Sequence, residues 1–195
     1  MQFVLSLIAG LVSAVSTQWL IYFFDARKSL RRANHLALRL SNEFERFAEE
    51  CMSSISANRD SWEESKNPDR QSTSLPASPN LFEDDLGWEA INRPLASEML
   101  SFPQLFDYAG GYVRNEFMYG SPPTAWVMRD DQAVGLGVKA LSIATRLRQA
   151  HGQHTPQFAW DYHGHLAQET ARMERERIEF EKRWKAREDQ AASAR

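Results

Sequence analysis

The sequence predicts an all-α chain: an N-terminal transmembrane helix continuing into an amphipathic stalk, then a small bundle of about four to five helices. Three observations carry this expectation. Phe3 to Phe24, FVLSLIAGLVSAVSTQWLIYFF, holds no charged residue. Residues 30–57 run on without Pro or Gly, with apolar residues at helical spacing. No pair of alternating segments is available to build a sheet.

A helix rises about 1.5 Å per residue, so the uncharged opening matches a bilayer hydrocarbon of roughly 30 Å. Arg27, Lys28, Arg31 and Arg32 follow it at once, whereas only Met1 and Gln2 precede it. Positive flanks stay on the cytoplasmic side. The expectation is therefore a single-pass protein of the inner cell membrane, with its short N-terminus outside and the rest cytoplasmic. A cleaved signal peptide fits less well, because no basic segment precedes the apolar run and no A-x-A-like site follows it. Trp19 and Tyr22 fall where amphipathic rings favour the headgroup layer. Ser6, Gly10 and Ala14 recur every four residues, as do Ala9, Ser13 and Thr17, the spacing that lets two membrane helices approach closely. That face, with Gln18 beside it, points to a homodimer.

Residues 1–25 are thus read as anchor and 26–57 as stalk. In the stalk Leu30, Ala37, Phe44 and Cys51 recur on one face, with Leu40, Phe47, Ala48 and Ile55 alongside. Another helix has to cover that stripe. Arg27 stacks with Arg31, and Lys28 with Arg32, giving a basic collar suited to anionic lipid headgroups. Beyond residue 40 acids outnumber bases as far as residue 100, within an overall charge of −3. An acidic middle with no basic stripe argues against nucleic acid as a partner. Cys51 is the only cysteine, so no disulfide forms within the chain. It lies about 40 Å past the anchor along a helix, too far for lipidation, and reads as a buried, inert thiol.

Residues 58–80, NRDSWEESKNPDRQSTSLPASPN, read as a flexible linker, with Trp62 tacked onto a neighbouring surface. The helical core is expected over 81–155. Asp84 or Asp85 caps a helix from Leu86 that carries Trp88, Ile91, Leu95 and Met99, and Pro94 either kinks it or sits in the first turn of a restart. Ser101-Phe102-Pro103 reads as the start of the next helix. Gly110-Gly111 in its middle implies close approach of another helix, or a bend. Gly120-Ser121-Pro122-Pro123 ends it, and Asp130 or Asp131 caps the following one. Ala133 to Leu147, apolar on nearly every face, is the expected central helix. Residues 156–195 form a long charged C-terminal helix with a thin seam of Leu166, Met173, Phe180 and Trp184.

The only dense group of reactive side chains is His151, His154, Asp161, His163 and His165. It could offer nitrogen and oxygen ligands to a divalent metal such as zinc. An interhelix turn explains the same residues without metal, and the dipole at a helix C-terminus would account for His151. Phosphate-binding loops, nucleophile elbows, H-E-x-x-H helices and C-x-x-C pairs are absent from the sequence. No cofactor is expected. The functional expectation is a non-catalytic interaction or scaffold module at the cytoplasmic membrane face, with a protein partner the sequence does not identify. The alternative is a membrane-bound, metal-dependent enzyme using the histidine group.

Overall fold

A single unbroken helix, α1, runs from Gln2 to Ser65. The computed structural model describes residues 2–65, 71–82, 86–154, 161, 164–175, 178–179 and 182, with backbone alone for 2–17, 86 and 122–123. After α1 come a short 3-10 helix (Leu86–Ala90), α2 (Arg93–Tyr119) and α3 (Pro122–Ala150). A further helix, α4, covers 164–175. The described residues are all-helical, with no strand among them.

The bundle is organised along the second half of α1. Ala33 is the first buried side chain described on it, and Leu36, Ala37, Leu40, Phe44, Phe47, Ala48, Cys51 and Ile55 follow in the core. The stripe expected of a stalk is therefore covered by this chain's own helices. Leu30 alone leaves the pattern, at 57% exposure, because it precedes the first packed turn. α3 packs against both α1 and α2. It contributes Ala133, Val134, Leu136, Ala140, Leu141, Ile143, Ala144 and Leu147 to the core, as its all-round apolar sequence requires. Leu166 of α4 reaches the same core where Gly137 leaves room beside Cys51. Arg148 ties α3 to α1: its guanidinium donates to Glu45 at 2.6 and 2.7 Å and to Asn42 Oδ1 at 2.7 Å.

Several sequence expectations are corrected here. The stretch read as a linker, 58–80, is partly helix, since α1 continues to Ser65. Residues 71–82 then form an extended strap along the bundle. Asn58, itself buried, accepts from the Ser72 N–H and donates to the Ser72 carbonyl, and Arg129 Nε donates to the Ser74 carbonyl. Pro79 and Leu81 of the strap are buried, and the Arg39 guanidinium lies 3.7 Å over the Phe82 ring. Prolines fit this strap because extended backbone suits their fixed φ and side chains replace the missing ladder bonds.

Pro94 sits in the first turn of α2, after a break at Ile91–Asn92. Pro103, by contrast, lies inside α2 and starts no helix. It removes the bond to the Met99 carbonyl, yet Phe102 beside it is fully buried. The Phe102 ring stands edge-on to Phe44 and Phe47, with centroids at 5.2 and 5.5 Å. That packing holds the helix through the proline. Asp130 and Asp131 lie within α3, which opens on Ser121 and two prolines. Asp84 and Asp85 lie outside the described residues. Among the described residues, close approach occurs at Gly87 instead of Gly110-Gly111: a Cβ on Gly87 would stand 2.8 Å from the Arg32 carbonyl oxygen, whereas one on Gly110 or Gly111 would meet nothing within 4 Å.

Candidate functional site

The basic collar sits on bare helix. Arg27, Lys28, Arg31 and Arg32 are exposed on α1, and Arg27 lies 4.4 Å over the Phe23 ring. Just before them Trp19, Tyr22 and Phe24 are more than half exposed. From Phe24 to Ala33 the helix rises about 13 Å before its first buried residue. Among the described residues, no helix is long and apolar enough to cross a membrane. The side chains of 2–17, which make up most of the uncharged stretch and include Ser6, Gly10 and Ala14, lie outside the described residues.

Among the described residues, His151, His154 and Asp161 each take part in a separate local contact. His151 closes α3, and its Nδ1 lies 2.8 Å from Asn34 Oδ1 on α1. Burial lowers its affinity for a proton, the opposite of what a dipole-stabilised imidazolium would show. His154 offers its carbonyl to Arg148 Nη1 at 3.1 Å. Asp161 Oδ1 accepts the Gly164 N–H at 2.8 Å, capping α4, and the His165 N–H bonds the Asp161 carbonyl. His163 lies outside the described residues. Among the described residues, no three His, Cys, Asp or Glu side chains are placed to hold a metal.

Cys51 is fully buried, and burial pushes its thiol up to about 12. Its surroundings are those of a structural side chain, not of a reactive one.

The concave feature of most chemical content lies at the opposite end of the bundle from the collar. A cleft of about 330 Å³ opens between the ends of α1, α3 and α4 and the start of the strap. Trp62 and Trp126 form its apolar wall, with ring centroids 6.2 Å apart at 47°. Two ion-pair systems border it. Arg129, only 2% exposed, donates to Asp130 at 2.7 Å. Glu169 accepts both from Arg59, at 3.0 Å, and from Arg172, at 2.8–2.9 Å. Burial raises the Glu169 carboxyl, but the two arginines outweigh it and hold the group below its ordinary range. For Asp130 burial prevails over Arg129 and Asn58, and its carboxyl stays above that range.

No protein-family model, curated protein or solved structure matches this chain. Chemistry must therefore be read from the cleft itself. Among the described residues, its lining holds no Ser, Thr, Cys or His. The arrangement is suited to binding. A second, wider groove between α3 and α4 has Val138, Leu141, Leu166 and Ala171 in its lining, with Ser142, Thr145, Arg146, Thr170 and Glu174 among them. Sequence reading noted Trp62 only as a surface ring and passed over Trp126. The available signal was a tryptophan within a strongly polar run, SWEES, and another just after a helix-opening Pro-Pro.

Proposed function

We propose that the chain is a single-pass, membrane-anchored, non-catalytic interaction module, with residues 3–24 in the bilayer and the helical bundle on the cytoplasmic face. The observation that supports this reading is the continuity of α1. The uncharged segment, the exposed aromatic residues, the basic collar and the core stripe all lie on one helix from Gln2 to Ser65. A bundle built on such a helix is held at a fixed height above the surface from which the helix emerges. In this reading Arg27, Lys28, Arg31 and Arg32 lie at the headgroups, where each basic side chain contributes on the order of 1 kcal/mol on an anionic surface. The Ser6, Gly10 and Ala14 face pairs two copies within the bilayer.

Fractionation of native membranes tests the anchor. The protein is expected in the pellet after alkaline carbonate extraction, with its C-terminus sheltered from protease added outside intact cells. Recovery in the soluble extract, or digestion of that terminus, overturns the proposal. Crosslinking in membranes tests pairing separately: Gly10→Ile is expected to abolish a dimer band, and a band that persists unchanged refutes pairing through this face. A pull-down from detergent-solubilised membranes, with the collar and bundle intact, is the route to the protein partner.

A further inference from the structure

The cleft beside Trp62 and Trp126 is independent of the anchor, and the state of its polar groups narrows what it can hold. Its volume of about 330 Å³ falls at the low end of small-molecule sites, roughly 300–1,000 Å³. The two indole rings, with centroids 6.2 Å apart and planes inclined at 47°, give it an apolar wall. The charged side chains of its described lining are Arg59, Asp130, Asp131 and Arg172, and each is already engaged. Arg59 and Arg172 both donate to Glu169, Asp130 accepts from Arg129, and Asp131 has a partner of its own. An anion entering the cleft would compete with the Glu169 carboxylate for the two arginines, and a cation with Arg129 for Asp130. Charges closed in pairs favour an uncharged occupant, because an ion has to leave its hydration shell and displace a partner already in place.

The two amides of the lining differ. Asn58 commits its own to the strap: Oδ1 accepts from the Ser72 N–H, and Nδ2 donates to the Ser72 carbonyl. Gln71 lines the same cleft, and its amide nitrogen is sheltered from water and meets no acceptor among the described residues. A sheltered donor without a partner is unfavourable, and an acceptor carried in by a ligand removes the penalty. The last torsion of a glutamine side chain is soft, so this amide can turn toward an acceptor in the cleft with little strain.

We propose that this cleft binds a small uncharged aromatic molecule bearing a hydrogen-bond acceptor, of the aryl-carbonyl class. Its ring packs on Trp62 and Trp126, and its carbonyl oxygen accepts from the Gln71 amide. Offset or edge-on contact of a third ring with the indoles adds attraction beyond the area it buries.

Isothermal titration of the full-length chain in mild detergent tests this with four probes of similar size. Benzamide offers a ring and an acceptor without charge. Benzoate and benzylammonium each carry one charge, and cyclohexanecarboxamide keeps the acceptor on a ring without π electrons. Benzamide is expected to bind at millimolar concentration or below, the two ions about tenfold more weakly and cyclohexanecarboxamide about fivefold more weakly. Gln71→Leu removes an unpaired donor, so the variant is expected to stay folded and to weaken benzamide about fivefold. Trp126→Ala is expected to weaken it further. The proposal is overturned if benzamide gives no heat at millimolar concentration, or if either ion or the saturated ring binds as tightly. It is equally overturned if Gln71→Leu, folded by far-ultraviolet dichroism, binds benzamide unchanged.

Discussion

Replacing Gly110 and Gly111 together by Ala should stabilise the bundle, although the sequence by itself argues for the opposite sign. A glycine pair in mid-helix suggests that a neighbour needs the missing methyl groups. Among the described residues a Cβ at either position meets nothing within 4 Å, and neither residue has positive φ. What remains is backbone entropy and helix propensity, about 0.5–1 kcal/mol per glycine, or roughly 1–2 kcal/mol for the pair. For a chain of this length that corresponds to a rise in Tm of roughly 2–8 °C. Guanidinium and thermal unfolding, followed by circular dichroism at 222 nm on full-length protein in mild detergent, measure both quantities. Gly87→Ala is the internal control. Its Cβ would stand 2.8 Å from the Arg32 carbonyl oxygen and 2.9 Å from Leu36 Cβ, so it should destabilise by about 1–3 kcal/mol. A double variant that unfolds earlier than the parent would refute the argument, because it would mean that the outer face of α2 is covered.

Three further outcomes are expected. Phe102→Ala removes a fully buried ring shared by Phe44 and Phe47, and should cost about 3–5 kcal/mol; a loss below 1 kcal/mol in denaturant unfolding would contradict its place at the centre of the core. Cys51, with its thiol pushed up to about 12, should react with Ellman's reagent at pH 8 only after denaturant is added, and stoichiometric labelling of native protein would speak against its burial. The Glu169 carboxyl is held below its ordinary range, so its contribution is present above the unfolded value of about 4.3 and is lost as pH falls through the lower folded value. Hydrogen exchange in 164–175 should therefore rise ahead of the rest of the bundle as pH drops below about 4, and uniform exchange across α1, α3 and α4 would refute the Arg59–Glu169–Arg172 clasp.

Much of the helical plan was legible because it rests on local periodicity. The α1 stripe from Ala37 to Ile55 and the apolar α3 segment announce buried faces in any environment that covers them. Pro94 marks a restart because proline is tolerated in a first turn whatever surrounds it. Pro103 carries the same local signal and gives the opposite result, since only the Phe44–Phe102–Phe47 contact makes continuing the helix worthwhile. The strap was missed for a related reason. Its backbone bonds go to Asn58 on α1 and Arg129 on α3, residues distant in sequence that no window around Ser72 can reveal.

The same division applies to function. Sequence by itself determined the all-helical class, the uncharged opening with its basic collar, and the want of any standard catalytic motif, because charge, hydrophobic period and motif spacing are properties of neighbouring residues. Tertiary structure alone placed His151 against Asn34, the His154 carbonyl on Arg148 and Asp161 at the start of α4. It also decided that Trp62 and Trp126, with Asp130, Arg59 and Gln71, line one cleft. Those residues come from α1, the strap and α3, and only the packing of α3 back along α1 brings them within reach of one another.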